Sequence, residues 1–230
     1  MPLKTVEICL SQVWERSSSR KAELRPFTGA LSPLDTCDLA FFWDSYQLSA
    51  EAIGNTIRVE RESGRYAMPI YGPSNSERGM VLRSPWRGAP RLPTRLVPKA
   101  DTYKDTTEPL QSHYWAARFD HPSLVYAGPL VVVEDQLSAI KLAAYGYDSV
   151  AVLGIPDIRG NGYSGNDRVM EIARRAKDGP VIVALDSDAT ETAFLFVKKW
   201  GHAFSRIRVA MLEKDLKDTP AKDFREILGC

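Results

Sequence analysis

The chain has 230 residues, 44% of them hydrophobic, which is enough apolar material for one large domain or two small ones and excludes a wholly disordered chain. Lys plus Arg total 30 against 29 acidic residues, so net charge identifies no partner and only its distribution can. Cys9, Cys37 and Cys230 are widely spaced with no His nearby, which argues against a disulfide framework and against a structural zinc site.

The Met-Pro-Leu-Lys start leads into no long apolar run, so neither a signal peptide nor a membrane span of roughly 20 apolar residues is expected, and a reducing cytoplasm is the default location. Thr5 to Trp14 is compatible with a short helix, followed by a polar stretch at Ser17–Lys21. Leu34 to Leu48 is expected to be helical, with Asp35 as N-cap and Leu39, Phe42 and Tyr46 on one face. Ser49 then caps a turn of helix over Ala50–Ile53. After Asn55 the pattern changes to short strands over Thr56–Glu60, Arg65–Tyr71 and Gly79–Arg83, separated by turns at Ser63-Gly64 and Pro73–Ser76. This predicts a small antiparallel unit. Ser84 to Pro98, with Pro85, Pro90, Pro93 and Pro98 among Arg87, Arg91 and Arg95, reads as an extended basic loop. Bases outnumber acids between Arg58 and Lys104, as suits a surface that meets a polyanion.

From Leu124 strands and helices alternate. Leu130–Val133 is a strand buried on both faces, and Leu137–Tyr145 a helix ended by Gly146. Ser149–Leu153, Val181–Leu185 and Ile207–Leu212 are the next strands; Asn166–Lys177, Thr190–Trp200 (stopped by Gly201) and Pro220–Leu228 are the next helices. Regular alternation implies a four-stranded parallel sheet with right-handed crossovers. The fold class is therefore α/β, preceded by a smaller α+β subdomain with antiparallel strands. The division is placed at 1–123 and 124–230.

In an open parallel sheet, functional groups gather beyond the carboxyl ends of the strands. Glu134 ends the first strand of this half, and Asp186 and Asp188 end the third. Alternate residues of an extended chain point the same way, so these two aspartates are expected to converge, with Glu134 arriving from a second strand. A D-x-D taken alone is more often a helix cap. The glutamate on an earlier strand end and the acidic turn Glu213–Asp218 shift the reading toward a metal site. Three crowded carboxylates repel one another unless a cation neutralises them, and hard oxygen donors select Mg²⁺ or Mn²⁺.

Val133-Glu134 opening a helix, Leu185-Asp186-Ser187-Asp188, and Lys214-Asp215 resemble the Toprim domain of primases, topoisomerases and some nucleases, over roughly residues 124–228. Gly64-Arg65-Tyr66-Ala67-Met68-Pro69-Ile70-Tyr71-Gly72-Pro73, then Gly79-Met80-Val81-Leu82-Arg83, is similar to the basic N-terminal subdomain of bacterial and phage primase cores. Pro98-Lys99, Thr107-Glu108-Pro109 and Tyr114-Trp115 resemble landmarks that lead into Toprim in those enzymes. The chain thus looks like a Toprim-containing DNA primase catalytic core of bacterial or phage type, without zinc-binding or helicase domains. It departs from the family at Ser138, where an Asp is usual. Asp135 stands three positions early for that role and is not given it.

The resemblance implies metal-dependent synthesis of short RNA primers on single-stranded DNA for DNA replication, in the host cytoplasm if the chain is phage-encoded. One or two Mg²⁺ (or Mn²⁺) would be held by Glu134, Asp186, Asp188 and Asp215, with Arg83, Lys99 and Lys104 on template or nucleotide phosphates. The implied partners are single-stranded DNA, ribonucleoside triphosphates, and a replicative helicase or separate zinc-binding protein. Trp86 and Tyr103 are candidates for base stacking, whereas Tyr114 and Trp115 are read as packing anchors. His113, His121 and His202 lack partner spacing and receive no catalytic role. Two alternatives stand beside this reading: a Toprim nuclease using the same metals, and a non-catalytic primase-like module that binds other replication proteins.

Overall fold

The computed structural model describes residues 26–54, 56–71, 77–84, 100–104, 115–116, 128–153 and 163–229. The helix expected over Thr5–Trp14 and most of the basic loop lie outside them. Helix α1 (Thr36–Tyr46) opens on a reciprocal cap, in which the Asp38 N–H donates to the Asp35 carboxylate and the Asp35 N–H to that of Asp38. Helix α2 (Ala50–Ile53) starts at Ser49, whose hydroxyl accepts from the Ala52 N–H.

The first sheet contains β1 (Leu31–Ser32), β2 (Arg58–Glu60), β3 (Tyr66–Tyr71), β4 (Glu77–Arg83) and β5 (Ala100–Lys104), antiparallel throughout and in chain order. Three of these strands match the expected antiparallel unit; β1 and β5 add its edges. Pro69 lies in a central strand, where a missing N–H would normally break a ladder. Here β2 pairs only with Tyr66 and Ala67, leaving the rest of β3 open on that side. Gln136, arriving from the second half of the chain, closes the gap: its side-chain amide donates to the carbonyls of Met68 (3.3 Å) and Pro69 (2.8 Å).

The second sheet contains β6 (Trp115–Ala116), β7 (Leu130–Val133), β8 (Ser149–Ala151), β9 (Pro180–Val183) and β10 (Arg206–Val209), in the order β10-β9-β7-β8-β6. The four strands expected from the apolar runs are parallel to one another, and β6 is an antiparallel edge. Helices α3 (Gln136–Ala144), α4 (Tyr163–Ala176) and α5 (Thr190–Trp200) join successive parallel strands, and α6 (Phe224–Leu228) closes the described chain. The end of α3 needs Gly146, whose φ of 87° an L side chain rarely adopts. The closing helix is shorter than expected: Ala221–Asp223 forms a 3₁₀ turn before it.

Alternation along β7 explains the layers. Leu130 and Val132 face α4 and α5 with Val169, Ile172, Ala193 and Phe196. Val131 and Val133 face α3, beyond which lie Phe42, Tyr46, Leu48, Ile53, Tyr66 and Met68 from the first half. One apolar core therefore runs through both halves, and α3 is buried along Gln136–Ala143 because protein covers both of its sides. Replacing Gln136 with Leu keeps the volume but removes the donor to the Pro69 carbonyl on the open side of β3. Urea denaturation is expected to show a loss of about 1–3 kcal/mol with an unchanged m-value.

Candidate active site at the carboxyl rim of the parallel sheet

Strands β7 and β9 are parallel neighbours, so the residues that follow them emerge side by side. Glu134 leaves β7 directly and is half-buried. The Ala184 N–H donates to the Val132 carbonyl (2.8 Å), which extends the pairing before Asp186 departs. The Ala210 N–H likewise donates to the Val183 carbonyl (2.9 Å), bringing the chain after β10 to the same rim. Three connections thus deliver Glu134, Asp186 and Asp215 to one place.

The expected strand alternation does not bring Asp186 and Asp188 together. The Ala189 N–H donates to the Asp186 carbonyl (2.8 Å) and closes a 3₁₀ turn over Ser187–Ala189, so the D-x-D is bent rather than extended. Asp186 is half-buried and Asp188 exposed. Asp188 still bears on Glu134, whose carboxyl is pushed up first by burial and then by the charges of Asp188 and Asp135.

Two further residues at this rim escaped the reading of motifs. Asp135 is the N-cap of α3, accepting from the N–H groups of Leu137 (2.8 Å) and Ser138 (3.1 Å). Ser138, where the resemblance expects an Asp, donates its hydroxyl to Asp135 (3.3 Å). The second residue is Lys217, only 6% exposed, in the 3₁₀ turn Leu216–Asp218. Its ammonium lies 2.5 Å from Asp215, 2.9 Å from Asp135 and 3.4 Å from Asp186. Sequence signals existed for both. An Asp before an amphipathic helix is a cap, and Lys217 sits inside the acidic turn already singled out.

One ammonium cannot serve three carboxylates equally. Burial raises the Asp135 carboxyl, but Lys217, Arg83 and the cap N–H groups outweigh it and hold it below the usual range. Asp215 is lowered likewise, against its burial, by Lys217 and by the Ser187 N–H (3.2 Å). Asp186 makes no side-chain cap bond and is farthest from the ammonium. Burial and the neighbouring Asp135 push it up to about 6 despite Lys217. The Lys217 ammonium, which burial alone would weaken, is held charged by Asp135, Asp215 and Asp186. Its turn is pinned from behind by Lys141, whose buried ammonium donates to the carbonyls of Lys217 (3.1 Å) and Thr219 (2.6 Å).

Among the bases predicted to meet phosphate, Arg83 ends β4 within 3.8 Å of Asp135, at the edge of the acidic rim. Lys104 belongs to β5, where it pairs with Gly79 while Arg83 pairs with Ala100. The two pairs are four positions apart, on the order of 14 Å along the strand. Lys99, Trp86 and Tyr114 lie outside the described residues. Tyr103 packs edge-on against Phe27, with ring centroids 5.5 Å apart.

Among the described residues no three carboxylate, imidazole or thiolate side chains are grouped closely enough to hold a metal ion. No helix among them is long and apolar enough to cross a membrane.

The fold defines a class: a mostly parallel α/β unit joined to a smaller antiparallel α+β unit. Within that class the chain has the fold of the DnaG-type primase catalytic core. It superposes on the catalytic domain of the primase DnaG bound to single-stranded DNA with a TM-score of 0.57 and 16% identity, covering 82% of this chain and 68% of that one. The E. coli primase catalytic core is matched at 17% identity and TM-score 0.49, over 95% of this chain and 72% of that one. The RNA polymerase domain of Mycobacterium tuberculosis primase is matched at 17% identity and TM-score 0.47, over 77% and 57%. No family model matches the sequence, and no curated protein matches it.

The charge left on Asp186 has a consequence for stability. Its folded carboxyl titrates near 6, above the ordinary 3.8, so between about pH 4 and 6 the folded chain binds more protons than the unfolded one. Its contribution to stability is present below that window and is lost as pH rises through it. Asp186→Asn is therefore expected to stabilise the protein in EDTA at pH 7.5, by on the order of 1–3 kcal/mol. The advantage should fade toward pH 4, as thermal melts across that range will show.

Proposed function

We propose that this chain is the catalytic core of a DNA primase, joining ribonucleotides into short primers on a single-stranded DNA template in the presence of Mg²⁺ or Mn²⁺. The observation that carries the reading is the acidic rim, built from the ends of adjacent parallel strands in a fold shared with a DNA-bound primase catalytic domain. Residues 124–230 form the Toprim unit in this reading, and 1–123 the subdomain that meets the template.

The donor chemistry at the rim suits a hard divalent ion, although the described side chains do not stand in a preformed metal-holding group. Glu134, Asp186 and Asp188 offer only oxygen donors, and Glu134 and Asp186 are held as carboxylates at a cost that a cation would relieve. Glu134, Asp186 and Asp188 would be the residues to hold such an ion, and the chemistry it would supply there is neutralisation of triphosphate charge. Arg83 carries positive charge to the edge of the same rim, within reach of phosphates crossing from the first sheet. Half-burial of Glu134 and Asp186 limits water at the donors, which strengthens each charge interaction made there.

Glu134→Gln and Asp188→Asn are each expected to lower primer synthesis about 10²–10³-fold, the scale of losing one electrostatic stabiliser, while template binding in a gel shift is retained. EDTA should abolish synthesis by the parent chain. The assay follows labelled oligoribonucleotides formed on single-stranded DNA with Mg²⁺ and ribonucleoside triphosphates. Synthesis that survives both substitutions would overturn the reading. Shortened template without synthesis would favour the nuclease, and DNA binding with neither product would favour the binding module.

A further inference from the structure

We infer that the amino rim of the parallel sheet, at the end opposite the carboxylates, is a second nucleic-acid surface, where Lys177, Lys198, Lys199 and Arg206 meet phosphates of the single-stranded template. The identity of the polyanion rests on the primase reading above; the surface itself lies outside the site on which that reading is built.

The topology brings these bases together. Helices α4 and α5 lie on one face of the sheet and run back from the carboxyl rim, so both end at the amino rim. Lys177 follows α4 with a φ of 51°, and the turn after it leads into β9 at Pro180. Lys198 and Lys199 lie in the last turn of α5, and the 3₁₀ turn Gly201–Ala203 then packs beside α4 on its way to β10. Arg206 opens β10, in register with Pro180, and β10 is the outermost strand of its sheet. The Ser205 hydroxyl donates to the Asp178 carbonyl (2.9 Å), which clasps the two turns together. Three elements distant in sequence thus open on one corner of the sheet.

Charge at this corner is one-sided. Lys177, Lys198 and Arg206 are exposed and make no ion pair with a described residue. The Lys199 ammonium stands over the Trp200 ring (5.0 Å), and that ring lies beside the exposed His202, with centroids 6.3 Å apart. Of the acids described beside these bases, Asp148 is already held by Arg175, which leaves Asp178. A helix dipole favours a base at each helix end. It does not call for Arg206 at the head of a neighbouring strand, nor for the two helix ends to meet there. Exposed bases spread over three elements suit a chain of phosphates, each met by one side chain, better than a single enclosed anion.

The test measures salt dependence. Binding of a labelled thymidine oligonucleotide is followed by fluorescence anisotropy across a salt series, for the full chain and for a variant combining Lys177→Gln, Lys198→Gln and Arg206→Gln. Each phosphate contact with a single strand contributes about 0.7 to the slope of log K against log salt. The variant is therefore expected to lose about 2 from that slope and to bind on the order of 10–100-fold more weakly at low salt. All three side chains are exposed, so the variant should melt with the parent. An unchanged slope in the folded variant overturns the inference and leaves the primase reading standing. A parent chain that does not bind the oligonucleotide overturns both. Should the variant melt early, amide hydrogen exchange on the parent decides. Protection of residues 198–206 when the oligonucleotide is added supports the surface, and its absence there overturns it.

Discussion

Glu134, Asp135, Asp186, Asp188 and Asp215 gather at one edge of a parallel sheet, and burial makes every one of the enclosed charges more costly than it would be in water. The fold tolerates them because Lys217 stands among them. Much of the surrounding structure can be read as support for that ammonium. Lys141 holds its turn, the Asp135 cap brings α3 against it, and the continuation of β9 and β10 past their last ladder residues sets the spacing. A buried ion network of this kind contributes little net stability compared with an apolar core of the same volume.

The same geometry ties the two halves of the chain together. Three successive residues of the second half face three different demands. Glu134 points its charge at the rim, Asp135 caps α3 while meeting both Lys217 and Arg83, and Gln136 satisfies the open edge of β3. Arg83 belongs to the first sheet and Asp135 to the second, so the antiparallel unit meets the acidic rim at a charged contact. The apolar core running from Phe42 and Tyr66 to Val133 and Leu137 makes that contact a fixed one. A template lying across the first sheet would thus be held in register with the carboxylates.

How much of this was legible beforehand follows from the kind of signal each part sends. The parallel sheet announced itself because strands buried on both faces, such as Leu130–Val133, leave uninterrupted β-branched runs. The caps at Asp35 and Ser49 were equally local. Strands β1, β5 and β6 were missed because short edge strands carry neither alternation nor turn chemistry of their own; their partners define them. The D-x-D was read as extended, but a single backbone hydrogen bond, from Ala189 to Asp186, folds it into a turn. The pairing of Lys217 with Asp135 is not legible in the sequence, because an ion pair across 82 residues of chain leaves no spacing there. The turn Glu213–Asp218 is legible by its acids, whereas the enclosure of Lys217 among Asp135, Asp186 and Asp215 is a matter of tertiary structure.

Compensation of charge within the cluster is uneven. Had the acids served only to fix the fold, the economical arrangement would have been to give each a donor or to let solvent reach it. Asp135 and Asp215 follow that rule, sharing the Lys217 ammonium, with two backbone N–H groups on Asp135 and one on Asp215. Asp186 does not. It lies in the same turn region, yet no cap bond reaches it and its carboxyl is raised toward neutrality. Glu134 is raised in the same direction and for the same leading reason, burial. The fold thus leaves Glu134 and Asp186 the least compensated of the half-buried carboxylates at this rim, Asp186 having only the longest of the three Lys217 contacts, 3.4 Å.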